Sequence, residues 1–187
     1  MKHSEVRNHI VETASNLFYT NGYNLTGINQ IISEAGIAKA TLYNHFKSKE
    51  DICVSYLQYK NTAFLEKIKE HCSSKNEGKE QVLGVLTFLQ LFYNDRNFNG
   101  CWCINTISEL PKDNQKIRLE IQKQKQQLID YIQELIQKNL SNTSEKDRVL
   151  LSKQIYVLYE GAVAESHLHQ NDWPIHSAID VCQKIIE

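Results

Sequence analysis

Residues 26–49 read TGINQIISEAGIAKATLYNHFKSK, and their pattern decides the fold. Ile28, Ile31, Ile32 and Ala35 recur at spacings of three and four, so they share one face of a short helix. Thr26 stands where an N-cap belongs, its hydroxyl suited to accept from a free backbone N–H. Gly36 follows the last periodic residue and marks a helix stop with positive φ, which glycine adopts without a Cβ clash. A second helix, about residues 38–46, turns Leu42 and Phe46 inward at i, i+4. Its other face shows Lys39, Thr41, Tyr43, Asn44 and His45, with no carboxylate among them. Two short helices about a glycine turn, the second with an acid-free polar face, form the helix-turn-helix pattern, whose second helix fits a DNA major groove.

With these residues in hand, Ile10 to Leu57 resembles the N-terminal domain of TetR-type (TetR/AcrR) transcriptional regulators. The resemblance rests on Ala14 with Leu17-Phe18, Gly22-Tyr23, Thr26, Ile31 to Gly36, Lys39 to Phe46 and Lys47 to Ile52. It covers about a quarter of the chain, and its Leu-Tyr-x-His-Phe-x-x-Lys core is specific. Ala40 stands where the family often has glycine, and is small enough for close approach to a phosphate. By resemblance, Thr26, Lys39, Thr41, Tyr43, His45 and Lys49 contact backbone and base edges, with Ala40 and Asn44 close to DNA. The chemistry of the side chains agrees. Tyr43 and His45 can donate to phosphate oxygens, Lys39 to guanine or phosphate, and Asn44 can pair with adenine, while the Thr41 methyl packs on a thymine methyl. The competing reading is an ordinary solvated helix face, and capping, turn, core pattern and polar face together disfavour it.

The 187 residues suffice for one or two compact units with a real core. Two prolines are too few for a loop-rich β protein, and 41% apolar with 23% charged residues is a soluble profile. No apolar run approaches the roughly 18 residues of a membrane span, and the first residues have no signal-peptide h-region, so a cytoplasmic protein is expected. The net charge of −1 does not itself indicate a nucleic-acid binder. Placement matters more, because Lys39, Lys47 and Lys49 cluster where a phosphate strand would pass. Five scattered cysteines (53, 72, 101, 103 and 182) indicate reduced thiols.

Periodicity predicts helices over 3–21, about 48–72, 79–95, 101–110, 113–140, 145–170 and from Pro174 on, in addition to the two above. On the fourth, Ile52, Tyr56, Tyr59, Ala63 and Ile68 mark one stripe, and Leu57, Phe64 and Leu65 a second. Ser48 and Ser144 are capping signals. With no β alternation, the expected fold is all-α, about nine helices. Residues 1–48 form a three-helix helix-turn-helix domain, and 49–187 a helical bundle for ligand binding and dimerisation. Lys2 and Arg7 at the first helix are in reach of a phosphate or belong to a solvated first turn.

The resemblance implies a twofold interface built from the last two helices. Here it draws on Ile155, Leu158, Tyr159, Gly161, Ala162, Leu168, Ile175, Ile179 and Cys182, unless those faces only close the monomer's core. A dimer would add a second half-site about 34–36 Å away, or a multiple of that. It also implies an effector cavity in the bundle, with Phe64, Leu86, Leu89, Phe92, Trp102, Ile107 and Tyr159 as candidate walls, although apolar residues at helical spacing are commonly plain core.

Cys101 and Cys103 lie about 200° apart around a helix, and the nearest cations in sequence, Arg96 and Lys112, are not close. That disfavours joint metal binding, an easy disulfide, and redox or electrophile sensing. His167, His169 and His176, with Glu160 and Glu165, read as polar positions rather than metal ligands. No glutamate is followed three residues later by histidine, and no P-loop or Gly-x-Ser-x-Gly occurs, so a metal enzyme or hydrolase is not expected. The expected partners are a double-stranded DNA operator, a second copy of the chain and an unidentified small-molecule effector, with no cofactor, no metal and no membrane. The expected function is a ligand-released repressor, with an activator or a regulator answering to a protein partner as alternatives.

Overall fold

The computed structural model describes residues 3–186, and these form nine helices with no strand. They are α1 (His3–Asn21), α2 (Ile28–Glu34), α3 (Lys39–His45), α4 (Lys49–Ser73), α5 (Lys79–Tyr93), α6 (Trp102–Ser108), α7 (Gln115–Asn139), α8 (Glu145–His169) and α9 (Trp173–Ile185). The expected all-α class is observed, and the helix ends fall within about two residues of those read from periodicity. None of the described helices is long and apolar enough to cross a membrane.

The chain divides into two compact units. One runs to Ala63 and takes in Trp102–Gln124; the other holds Phe64–Cys101 and continues from Lys125. In the first, Ile10, Ala14, Phe18, Ile31, Leu42, Phe46, Ile52, Tyr56 and Leu57 are buried. Each Ile, Leu and Phe among them contributes about 1.5–3 kcal/mol by leaving water. Phe18 packs on Tyr56 and Tyr23 with ring centroids 5.5 and 5.6 Å apart. Ser48 caps α4, accepting from the Asp51 N–H at 3.1 Å while the Asp51 carboxylate accepts from the Lys47 N–H at 3.1 Å. The Asp51 carboxyl is held below its usual range first by the hydrogen bond from Lys116.

The second unit has α5 as its most buried helix, with Val82, Val85, Leu86 and Leu89 excluded from solvent. Gly84 allows α5 to lie close on the end of α4, since a Cβ there would stand 3.1 Å from the Cys72 Cα. Ile155, Tyr159, Ala162, Ile175, Ala178 and Cys182 of α8 and α9 complete this core.

One reading of pattern needs correction. The stripe of α4 follows Cys53, Leu57, Asn61, Phe64, Ile68 and Cys72, with Ile52 and Tyr56 beside it, while Tyr59 and Ala63 are exposed. Asn61 misled the reading, because a buried polar residue carries the period where an apolar one was sought. On α7 Gln124 is likewise a buried polar residue, donating to Glu120 at 2.8 Å and accepting from the Cys103 thiol at 3.6 Å.

Candidate nucleic-acid interface

The interface is built on α3, and α1 and α2 hold it in place. Gly36 adopts φ +61, the left-handed turn that its position requires. The His9 ring shares a 3.0 Å hydrogen bond with the Ala35 carbonyl and so ties the end of α2 to α1. Leu42 and Phe46 are buried under α3. On the opposite side Lys39, Ala40, Tyr43 and Asn44 are exposed, and Thr41 and His45 are half-buried. The six residues named from the sequence on this helix therefore stand on its accessible surface.

Thr26 does not. It is fully buried, and its hydroxyl donates to the carbonyls of Gly22 at 2.8 Å and Leu17 at 3.2 Å. The N-cap of α2 is Gly27, with no side-chain cap. The Thr26 side chain thus fastens the loop to the end of α1, and neither a capping role nor a DNA contact is open to it.

Two cations near α3 are also engaged internally. The Lys49 ammonium lies 4.2 Å from the Tyr23 ring centroid, and burial lowers its pKa. Arg7 sits 4.9 Å over the Phe46 ring and donates to the Ser55 hydroxyl at 2.8 Å, so it braces α4 and the end of α3 from within. Lys2 lies outside the described residues. The His45 ring meets the His3 ring at a 47° tilt with centroids 4.1 Å apart, and its pKa is lowered, first by burial and then by His3 and Arg7.

A residue that pattern did not flag positions the turn before α2. The Glu109 carboxylate accepts from the backbone N–H of Tyr23 at 3.2 Å and of Asn24 at 2.7 Å. No local signal marks it, since the partners are 86 and 85 residues apart.

The other named residues fall as follows. Phe64, Leu86, Leu89, Phe92 and Tyr159 belong to the second unit, and Trp102 and Ile107 to the first. Phe64 meets Tyr159 edge-on at 6.1 Å. A cleft of about 420 Å³ opens in the second unit between α4 and α5, lined by Lys67, Glu70, His71, Ser74, Phe88, Leu91, Phe92 and Asp95. Of the candidate walls, it takes in Phe92 alone. Of the residues named for a twofold interface, Ile155, Tyr159, Ala162, Ile175 and Cys182 are buried within the unit, Leu158 and Ile179 are half-buried, and Gly161 and Leu168 are exposed. Among the described residues no group of three His, Cys, Asp or Glu side chains converges on a metal site. His167 pairs with Asn99, His169 with Glu165 and His176 with Asp172.

Two short helices around a left-handed glycine, the second helix exposed, polar and free of acids, define a helix-turn-helix protein. The profile of "Bacterial regulatory proteins, tetR family" matches residues 10–55. The "HTH-type transcriptional regulator SAB2452" of Staphylococcus aureus is 30% identical over 131 residues, spanning 70% of this chain and 67% of that one. The "Fatty acid metabolism regulator protein" of Bacillus subtilis is 32% identical over 113 residues, 60% of this chain but only 56% of its own length. The crystal structure of the Bacillus subtilis regulator FadR in complex with stearoyl-CoA shares the fold, with TM-score 0.75 at 23% identity over 96% of this chain and 97% of that one. The chain belongs to the TetR family of bacterial regulatory proteins.

Proposed function

We propose that this chain is a homodimeric transcriptional regulator that binds operator DNA through α3 and is released from it by a small molecule bound in the second unit. The observation that carries the DNA reading is the exposed face of Lys39, Ala40, Tyr43 and Asn44, seated on a buried Leu42 and Phe46. A surface of donors without acids suits a polyanion, and a helix raised on its own small core fits a groove. In this reading residues 1–48 read DNA, and the remainder binds the effector and the second copy.

Self-association is supported by apolar side chains that α8 and α9 leave in solvent. Leu150, Val157, Gly161 and Leu168 follow one another at spacings of seven, four and seven on α8, and Val181 and Ile185 lie four apart on α9. Val157 is 66% and Leu168 71% exposed. Gly161 has nothing within 4 Å of where a Cβ would stand, so a second backbone could approach it closely. The interface proposed here is this outward stripe, because the residues on the inward one are already covered by their own chain.

For the effector, support comes from the cleft between α4 and α5, which has an apolar floor of Phe88, Leu91 and Phe92 and a polar rim with Lys67 and His71. A bound molecule that prefers one arrangement of the bundle would shift the spacing of the two α3 helices. Gel-shift titration against the protein's own upstream DNA tests the reading. Specific retardation abolished by Tyr43→Ala and weakened by Lys39→Ala is the expected result, and retardation untouched by both would overturn it.

A further inference from the structure

The second unit holds a cluster of chemistry-bearing groups that DNA recognition does not use. Cys101 ends the loop after α5, Lys125 projects from α7 and Glu160 from α8. The Lys125 Nζ lies 3.2 Å from the Cys101 Sγ and 2.5 Å from the Glu160 Oε1. Lys125 and Glu160 keep 18% of their side chains exposed, and Cys101 is half-buried. No cation stands close to this thiol in sequence, but one does in the fold. Lys125 is 24 residues away in sequence but in direct contact.

The fold delivers the thiol to this place deliberately. Glu160 and His167 are seven apart on α8 and share a face. His167 holds the incoming loop, bonding Asn99 at 3.1 Å and meeting the Phe98 ring at 6.0 Å. Gly100 passes with φ +72, and a Cβ there would stand 3.0 Å from the His167 ring. The next residue, Cys101, then faces the Lys125–Glu160 pair.

One ammonium between two acids can neutralise only one of them. Burial, and after it Cys101, raises the Glu160 pKa against the pull of Lys125. A proton on Glu160 leaves Lys125 to the thiolate. The contrast with other thiols lies in burial, which pushes Cys53 and Cys182 up to about 12 and Cys72 up to about 11, outweighing Lys49 at Cys53 and Tyr131 and Lys75 at Cys72.

We propose that Cys101 is a covalent addition site for α,β-unsaturated carbonyl compounds, with Lys125 as counter-ion and proton donor and Glu160 as the group that positions Lys125. The thiol proton passes to solvent, and the thiolate forms an Sγ–C bond to the β-carbon of the acceptor. The C=C electron pair moves toward the carbonyl, whose oxygen the Lys125 ammonium can bind. A proton from Lys125 then completes the α-carbon, and the amine regains its proton from water. The product is a thioether, no group leaves, and no oxidant is required. This chemistry fits the cluster better than disulfide formation, since the neighbouring Cys103 is buried and donates to Gln124. The site stands or falls independently of the DNA-binding reading.

Cyclohex-2-enone, incubated with the full-length protein and followed by peptide mapping in a mass spectrometer, tests the proposal. Cys101 is expected to take the adduct about tenfold faster than Cys53, Cys72 or Cys182 near neutral pH, because Lys125 stabilises the thiolate that attacks. Lys125→Met should slow Cys101 about tenfold and make its rate rise with pH, while Lys125→Arg should retain most of the reactivity. Glu160→Gln removes the rival anion and should speed the reaction at pH values where Glu160 is ionised in the wild type, which a merely structural role would not do. Thermal melts of each variant separate misfolding from lost activation. Equal labelling of all cysteines, a Lys125→Met protein with an unchanged pH profile, or a Glu160→Gln protein that melts as wild type yet reacts more slowly would overturn the assignment.

Discussion

Asn24 and Glu109 are joined by two hydrogen bonds across 85 residues. The Asn24 backbone N–H donates to the Glu109 carboxylate at 2.7 Å, and the Asn24 side-chain amide donates to the Glu109 carbonyl at 2.9 Å. The same carboxylate also accepts from Tyr23. The turn that launches α2 is thus gripped by a residue just beyond α6, within the same compact unit.

Replacing Glu109 by alanine leaves two N–H groups without that acceptor. Because the pair is exposed, a loss of about 1–2 kcal/mol is expected rather than the larger value of a buried charged bond. Thermal unfolding measures this, and an unchanged melting temperature would show that the grip is ornamental. Gly22→Ala should cost at least as much, since Gly22 has φ +89 and its Cβ would fall 2.6 Å from the Glu109 Oε1.

Lys39 is exposed on α3 and is expected to reach phosphate or guanine. For a phosphate contact, Lys39→Met should weaken operator and nonspecific DNA alike and reduce the slope of log affinity against log salt by about one. For a guanine contact it should instead relax specificity at one position. Fluorescence anisotropy over a salt series distinguishes the two, and an unchanged slope with unchanged specificity would remove Lys39 from the interface.

The lowered pKa of His45 gives DNA binding a direction in pH. In free protein burial, His3 and Arg7 all disfavour the charged ring. A phosphate beside it would favour that charge, so the bound pKa exceeds the free one and binding takes up a proton. Affinity should therefore rise as pH falls from about 8 to about 6, through the usual histidine range. His45→Asn should flatten the trend, and a wild-type affinity that falls over this interval would contradict it.

Val157 and Leu168 are exposed on α8 beside Gly161. Val157→Glu and Leu168→Glu together would place charges within the proposed twofold contact and should yield a folded monomer in sedimentation or light scattering. The single change Ile155→Ala should behave differently. Ile155 is wholly buried, so about 2–5 kcal/mol of unit stability is lost with it.

The helices and the exposed reading face were legible because both follow local rules. Gly36, Leu42 and Phe46 each do what their spacing requires, and the capping serines sit at helix starts. What escaped is non-local or polar. Thr26 has the chemistry of a cap, yet carbonyls of α1 claim its hydroxyl. Asn61 and Gln124 are buried polar residues that break an apolar stripe without breaking the face. The inward line of α8 and α9 was legible as apolar, but no sequence pattern says whether such a line meets its own chain or another. Lys125 beside Cys101 could not be read at all, because the contact joins two helices at a register that only packing fixes.

The first compact unit is discontinuous, and this has a bearing on biosynthesis. Its opening helices leave the ribosome early, but Glu109, Asn114, Lys116 and Glu120, which bond Asn24, Glu50, Asp51 and Gln58, are translated only after the 38 intervening residues 64–101. The nascent DNA-reading half must wait, partly clothed, until its late-arriving companions emerge. A gene fragment cut after α3 would release a polypeptide still missing those companions.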